Sequence, residues 1–300
     1  MLNRRQKHIL LKFFSMFSEV RGYNILIVVM AQYLTSIYIL AHDKPLREVV
    51  FDVNLLMLVL ASSATIAAGY IINNFYDSEK DLINRPIKSR LDRLVSQNTK
   101  LSFYFVLNLI SVVLASYVSF RAVIFFSVYI FLIWFYSHKL KKLPFIGNLT
   151  SAVLTISPFF VIFIYYKNFE PVIFVHGTFL FIMISMRELT KDLENIKGDL
   201  VQGYQTIPVV YGENASKVML TILSVLTLLP AYFLLYRFEI GYMYLYLYLC
   251  VFLLLVFLLL LWHSKTKIHY LILHNILKFI IVSGVFSIVL INVGLVLNRI

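Results

Sequence analysis

Long apolar stretches alternate with short polar ones along the whole chain. Several of the apolar stretches run for about 20 residues with almost no charge, the length a helix needs to cross roughly 30 Å of hydrocarbon. The run LLLVFLLLLW at 253–262 is unbroken, whereas membrane β-barrels need alternating strands. The pattern predicts an all-α polytopic membrane protein.

Hydropathy predicts about nine transmembrane helices. Their expected limits are 22–41, 54–72, 101–119, 121–137, 148–166, 171–187, 216–236, 241–262 and 271–297. Composition agrees, since 60% of the 300 residues are hydrophobic, more than the roughly 45–50% typical of soluble domains. We expect a single transmembrane domain at 21–300, preceded by a basic amphipathic segment at 1–20 that lies on the membrane surface.

Lysine and arginine predict the orientation of these helices. Most of the 27 basic residues fall between spans on the side of the N-terminus. The exceptions are Lys44, Arg47, Arg121, Lys167, Arg237 and Arg299 on the other side, and Lys278 within the last span. The positive-inside rule then predicts a multi-pass protein of the cell membrane whose N-terminus faces the cytoplasm. Because the basic residues are scattered, the net charge of +12 does not indicate nucleic-acid binding.

Two polar segments follow the second and sixth spans, on the same predicted side. Each has two acids and one amide at positions i, i+3 and i+7, which is one face of a helix. The first comb is Asn74, Asp77 and Asp81, and the second comb is Asp192, Asn195 and Asp199. The repeated spacing also suggests a loose internal duplication of four spans and a comb.

The combs admit two interpretations. Seven of the 15 acidic residues lie in these two segments, and they are either solvated loop charges with Lys80, Lys191 and Lys197 as local partners, or a cation site. Like charges on one helical face repel, so a divalent cation would compensate them. Ligands that are all oxygen favour Mg²⁺ over zinc, and Mg²⁺ prefers a few carboxylates together with substrate phosphates. The combs therefore predict a site for Mg²⁺ and a diphosphate, with all six comb residues as candidate metal ligands.

Basic residues accompany both combs. Arg85 and Lys88 follow the first comb, and the segment YSHKLKKLPFIGN at 136–148 supplies Tyr136 and Lys141 on the same side. Such cations can neutralise a departing diphosphate. The positive-inside rule accounts for most of them without any chemistry.

Four motifs together resemble the UbiA-type intramembrane prenyltransferases. They are RGYN at 21–24, NNFYDSEKD at 73–81 followed by INRP, the 136–148 segment, and RELTKDLENIKGDLVQGYQTIPVVYG at 187–212. They occur in the family's order and cover about 200 residues. The resemblance implies nine helices around a central cavity with a cytoplasmic cap, and Mg²⁺ held on the diphosphate of an isoprenyl donor. A lipophilic acceptor in the bilayer would trap the allylic cation.

The resemblance also implies roles for particular residues. The expected catalytic residues are Asp77, Asp81, Asp192, Asp199 and Lys141. The expected diphosphate-binding residues are Asn73, Arg85, Lys88, Tyr136, Lys191, Arg21 and Asn24. The chain departs from the family at 74 and 195, where Asp is usual and Asn stands here. This change lowers the negative charge of the site, and a degenerate paralogue without activity is an alternative.

The acceptor is less well defined. The second motif looks most like the geranylgeranylglyceryl phosphate branch of the family, in which a glycerol hydroxyl attacks and an ether lipid forms. The alternatives are a hydroxybenzoate or naphthoate ring on the way to a quinone, and a haem or chlorophyll precursor. Outside the family, acids at span ends could form the cation pathway of a transporter, although transport sites usually lie near the midplane.

The substitution Asn74→Asp tests whether Asn74 lines the cation site. An added carboxylate at this position strengthens Mg²⁺ binding, so half-maximal activity is expected at a lower Mg²⁺ concentration. A Mg²⁺ titration of the prenyl transfer rate measures this shift. An unchanged titration would place Asn74 away from the metal.

Overall fold

The computed structural model describes residue 3 and residues 15–294. Over these residues every regular element is helical, and nine helices are long and apolar enough to cross a membrane. The helices are α1 (Gly22–Thr35), α2 (Leu46–Val50), α3 (Val53–Asn84), α4 (Pro86–Asp92), α5 (Gln97–Val118), α6 (Phe120–His138), α7 (Ile146–Tyr166), α8 (Pro171–Val201), α9 (Ile207–Arg237), α10 (Tyr244–His263) and α11 (Lys267–Ser287). A π-helical turn at Ser36–Leu40 extends α1, and 3₁₀ turns lie at Leu140–Lys142, Gly241–Met243 and Ile288–Ile291.

The nine predicted spans are confirmed, with corrected ends. Both combs lie on membrane helices that continue past the predicted ends at 72 and 187, because α3 and α8 have 32 and 31 residues. Helix α9 begins before the predicted residue 216 and is interrupted at Gly212, where φ is 83°.

The last helix is shorter than predicted. Helix α11 ends at Ser287 instead of 297, and a 3₁₀ turn follows it. This turn packs against Gly241, where a Cβ atom would collide with the carbonyl oxygen of Ile291. Residues 295–297 of the predicted span, and most of the predicted amphipathic segment at 1–20, lie outside the described residues.

Helices α3 and α8 form the centre of the bundle. Helix α3 packs against α1, α5, α6, α7 and α8, while α8 packs against α3, α7, α9 and α11. Contacts between α11 and α1 close the bundle around this pair. The combs are therefore on the two central helices, at their C-terminal ends.

A proline in α7 shows how the bundle satisfies the hydrogen-bonding groups of its backbone. Pro158 has no N–H, so the carbonyl of Leu154 has no helical partner. The hydroxyl of Tyr129 on α6 donates to this carbonyl at 3.0 Å, and both residues are buried. Gln32 on α1 donates to the carbonyl of Pro158 itself at 2.8 Å. In lipid no water could replace these partners, so the two bonds fix α1 and α6 to α7 around its proline.

Tyr129→Phe tests this account of the proline in α7. Loss of the hydroxyl leaves a buried carbonyl without a donor, which we expect to destabilise the protein by about 1–3 kcal/mol. Pro158→Ala restores the missing N–H, so the double variant is expected to be more stable than Tyr129→Phe alone. Thermal unfolding in detergent measures both effects, with the exposed Tyr117→Phe as a matched control. Equal stability of Tyr129→Phe and Tyr117→Phe would contradict this account.

Candidate active site

The two combs meet at one end of the bundle, here called the polar end. It is formed by the last four turns of α3 and α8 and by the segments 85–96, 139–145 and 202–206. The helices approach closely at Gly198, where a Cβ atom would collide with the side chain of Asn84. A glycine at this position therefore allows α8 to pack on α3 beside the second comb. Arg85 and Glu194 also pair across the two helices at 3.7 Å.

Two lysines pair with comb acids from other segments. Lys80 on α3 lies 2.5 Å from Asp199 on α8, so it joins the first comb's helix to the second comb. Lys141, in the segment after α6, lies 2.8 Å from Asp77 and donates to Asn73 at 3.2 Å. The sequence interpretation of Lys80 as a local partner of its neighbouring acids is thus incomplete, because the pair spans two helices.

Tyr204 lies between the combs. Its hydroxyl donates to Asp77 at 3.0 Å, and its backbone N–H donates to the carbonyl of Asp199 at 2.8 Å. Its ring is buried beneath the ammonium groups of Lys80, Lys141 and Lys142, which lie 4.6, 5.9 and 5.4 Å from its centre. Burial, followed by the charge of Asp77, raises the pKa of Tyr204, so the hydroxyl stays protonated and remains a donor.

The second comb is held by polar neighbours. Asn148 at the start of α7 donates to Asp192 at 2.8 Å, and the hydroxyl of Thr206 donates to Asp199 at 3.2 Å. Asn195 donates its NH₂ group to the carbonyl of Lys191, one turn earlier. These bonds orient the carboxylates. Because the NH₂ group of Asn195 is engaged, its side-chain carbonyl oxygen is the atom that can bind a cation or a substrate.

The donor set fits a divalent cation that is shared with a substrate. Within the described residues no three His, Cys, Asp or Glu side chains converge as a metal cluster. The metal-binding atoms of both combs are nevertheless all oxygens. The NH₂ group of Asn74, like that of Asn195, is used within the protein, since it donates to Asp92 at 3.0 Å. Mg²⁺ rarely takes a cage made entirely of protein and keeps substrate phosphates and waters among its ligands. The residues present suit such a site.

The predicted diphosphate-binding residues are near the combs, but several are engaged by the protein. Lys191 and Arg187 both pair with the buried Glu188, at 2.8 and 2.6 Å. Arg21 and Asn24 both contact Tyr70, one turn before Asn74 on α3. Asn73 accepts from Lys141, and Arg85 pairs with Glu194. Tyr136 is partly buried in the core between α3, α6 and α7. The side chain of Lys88 is outside the described part.

An apolar cavity of 380 Å³ lies toward the other end of the bundle. Its lining comes from α1, α7, α8, α10 and α11, and includes Thr35, Phe159, Met183 and Gly284. Met183 precedes Asp192 on α8 by nine residues, or about 13 Å at the rise of an α-helix. A ligand with an apolar tail could thus contact the cavity and the second comb together.

Sequence reasoning missed several residues of the site. Asn148, Tyr204 and Thr206 are partners of the comb acids. They lie within the motifs at 136–148 and 187–212, but only the tertiary contacts single them out. Asp92 has no such signal, since it lies outside these motifs, at the end of α4. His274, which contacts Glu194 at 3.0 Å, comes from the last helix.

Residues 29–277 match the UbiA prenyltransferase family, and the chain belongs to that family. It is therefore a multi-pass membrane enzyme that transfers prenyl groups, and the transporter interpretation is set aside. The resemblance to this family drawn from the four motifs is confirmed.

The most similar relatives include two archaeal proteins named digeranylgeranylglyceryl phosphate synthase. The one from Methanobrevibacter smithii is 29% identical over 75% of this chain and 79% of its own length. The one from Thermococcus sibiricus is 33% identical over 70% of this chain and 73% of its own length. This agrees with the branch of the family that the second motif favours.

Solved structures share the fold. One, from work on digeranylgeranylglyceryl phosphate synthase in membranes, has a TM-score of 0.70 at 21% identity and covers 95% of this chain and 99% of its own. A UbiA homologue from Archaeoglobus fulgidus bound to GPP and Mg²⁺ has a TM-score of 0.67 at 13% identity, covering 92% and 99%. At these identities the likeness establishes the nine-helix fold.

Lys80→Met tests the link between the combs. It leaves the buried Asp199 without its cation, and breaking such a pair is expected to cost about 3–5 kcal/mol. Added Mg²⁺ is expected to restore more stability to this variant than to the wild type, because it can replace the lost charge. Thermal unfolding in detergent with EDTA or Mg²⁺ measures this.

The control for this experiment is Lys197→Met, which removes the same charge from an exposed position on α8. We expect a change within about 0.5 kcal/mol for this variant. If Lys80→Met behaved like Lys197→Met in both conditions, the ion pair would not hold the combs together.

Proposed function

We propose that the protein transfers a geranylgeranyl group from its diphosphate to the hydroxyl of geranylgeranylglyceryl phosphate, at a Mg²⁺-dependent site between the combs. The observation that supports a diphosphate most directly is the cluster of Lys80, Lys141 and Lys142 around Tyr204, between Asp77 and Asp199. Three ammonium groups beside two paired carboxylates leave positive charge for an anion. The names of the relatives support this donor and acceptor over an aromatic acceptor.

In this proposal the six comb residues hold the cation, with Asn74 and Asn195 as neutral oxygen ligands. When bound, Mg²⁺ supplies positive charge to the leaving diphosphate. In this proposal Lys141 is a catalytic residue, because its ammonium group beside Asp77 would provide a further cation for the leaving diphosphate. Arg85 and Lys191 would exchange their contacts with Glu194 and Glu188 for the diphosphate, and Arg21, Asn24, Asn73, Tyr136 and Lys88 would complete the binding site.

The reaction balances without any further reagent. The bond between the allylic carbon and the diphosphate oxygen breaks, and the diphosphate keeps the electron pair. The acceptor oxygen forms the new ether bond to the allylic carbon, and its proton passes to the released diphosphate. Tyr204 keeps Asp77 oriented through its hydrogen bond, since its own proton stays in place.

The membrane defines where the substrates lie. The apolar cavity is within the size range of about 300–1,000 Å³ seen for ligand sites, and would hold part of a prenyl chain. The surplus of Lys and Arg on one side supports a cytoplasmic polar end in the cell membrane. The segments 85–96, 139–145 and 202–206 would then form the cytoplasmic cap.

A transfer assay tests this function. Purified protein in lipid is given labelled geranylgeranyl diphosphate and Mg²⁺, with geranylgeranylglyceryl phosphate, 4-hydroxybenzoate or dihydroxynaphthoate as separate acceptors. We expect an ether product with the first acceptor only, one diphosphate released per product, and no product with EDTA. The variant Asp77→Ala/Asp192→Ala should be inactive.

A matched control is Asp43→Asn, an exposed acid in the loop after α1, which should keep full activity. Transfer to an aromatic acceptor would overturn the proposed acceptor and keep the site. If folded protein transferred to none of the three acceptors, the proposal would fail, and activity in Asn74→Asp/Asn195→Asp would then identify a degenerate site.

A further inference from the structure

Asp92 is a buried acid beside the first comb, at the end of α4. It is 5% exposed, and its Oδ2 atom accepts a hydrogen bond from the NH₂ group of Asn74 at 3.0 Å. Its Oδ1 atom is also buried and has no hydrogen-bond partner in the part of the chain that the structure describes. None of the described ion pairs includes Asp92.

An oxygen of this kind is unusual. Most buried polar side-chain atoms have a partner, and a buried carboxylate without one is costly. Lys100, a buried cation on α5, is already paired with Glu19 at 3.1 Å. Among the described residues, one oxygen of Asp92 is thus held in place and the other is left without a partner.

Space for such a partner lies next to Asp92. A polar cavity of 210 Å³ lies beside it, and its lining includes three acids and two basic residues. The lining residues are Asn74, Ser78, Glu79, Asp81, Ser89, Asp92, Arg93, Gln97 and Lys100. One water needs only roughly 10–15 Å³ of such space, so a partly hydrated cation fits. The cavity brings Asp92 to the same space as two of the three residues of the first comb.

The identity of residue 74 gives this contact its meaning. Position 74 carries an amide, so the first comb lacks a carboxylate there. Asp92 brings a carboxylate to within hydrogen-bond distance of that amide. Two carboxylates at this distance would repel each other without a cation between them, whereas an amide at 74 stabilises an acid at 92. The Asn74–Asp92 pair therefore carries the charge of one carboxylate, and this carboxylate stands on α4 instead of at position 74 on α3.

We propose that Asp92 is a further divalent-cation ligand of the first comb, positioned by the NH₂ group of Asn74. The inference rests on the proposed function, since the cation is the one shared with the diphosphate. It adds α4 to the elements that build the site. It also explains how the proposed site can work with Asn at position 74, because Asp92 supplies the missing carboxylate.

Mn²⁺ is the probe for this inference, because its binding to the full chain in lipid nanodiscs can be followed by electron paramagnetic resonance without any turnover. We expect Asp92→Asn to weaken Mn²⁺ binding by at least tenfold. The exchange Asn74→Asp/Asp92→Asn, which returns the carboxylate to α3, is expected to restore the affinity to within about threefold of the wild type. Asp43→Asn is the matched control and should bind like the wild type.

Thermal unfolding separates a ligand from a merely structural acid. Without metal, Asp92→Asn is expected to be at least as stable as the wild type, because it removes a buried charge and keeps an amide pair. The increase in stability on adding Mn²⁺ should be smaller in this variant. A loss of stability without metal, with an unchanged Mn²⁺ response, would show a structural role and overturn the proposal.

The proposed function can fail separately from this inference. If Asp77→Asn weakened Mn²⁺ binding and Asp92→Asn did not, the site would stand and the role of Asp92 would be wrong. If the wild type bound no Mn²⁺ and transferred no prenyl group, both would be wrong. Failure of the Asn74→Asp/Asp92→Asn exchange to restore binding would contradict the idea that the two positions share one carboxylate.

Discussion

The polar end depends on one electrostatic constraint, the repulsion among acids that two helices bring together at the edge of an apolar bundle. Each comb places like charges on one helical face, and packing α3 on α8 brings the two faces close. Lys80 and Lys141 offset this repulsion by pairing with Asp199 and Asp77. Because both lysines come from outside the comb they neutralise, the pairs also determine how the helices and the segment after α6 are arranged.

Tyr204 connects this charge pattern to the backbone. It contacts Asp77 through its hydroxyl and Asp199 through its N–H, and it lies beneath three ammonium groups. A neutral donor here stabilises an ionised Asp77 without adding charge, and its raised pKa keeps it neutral. The site is therefore organised before any substrate arrives, which lowers the cost of binding a diphosphate.

The apolar part of the bundle and the polar end serve different ends of one substrate. Helices in lipid must satisfy their own backbone groups, and the bond from Tyr129 to the carbonyl freed by Pro158 shows this at the centre of the bundle. Helix α8 contributes to the apolar cavity through Met183 and to the second comb through Asp192, so one rigid element lines both regions. A prenyl diphosphate has this division into an apolar chain and a charged head.

The sequence by itself determined the nine spans, the helical spacing of both combs and the family, because hydropathy and helical periodicity are local properties. It also gave the oxygen-only character of the site. The tertiary structure decided which groups compensate the acids: Lys80 across two helices, Tyr204 from a loop, and Asp92 from α4 beside Asn74. Local pattern does not contain these partners, since they depend on which helices become neighbours, and that follows from packing over the whole bundle.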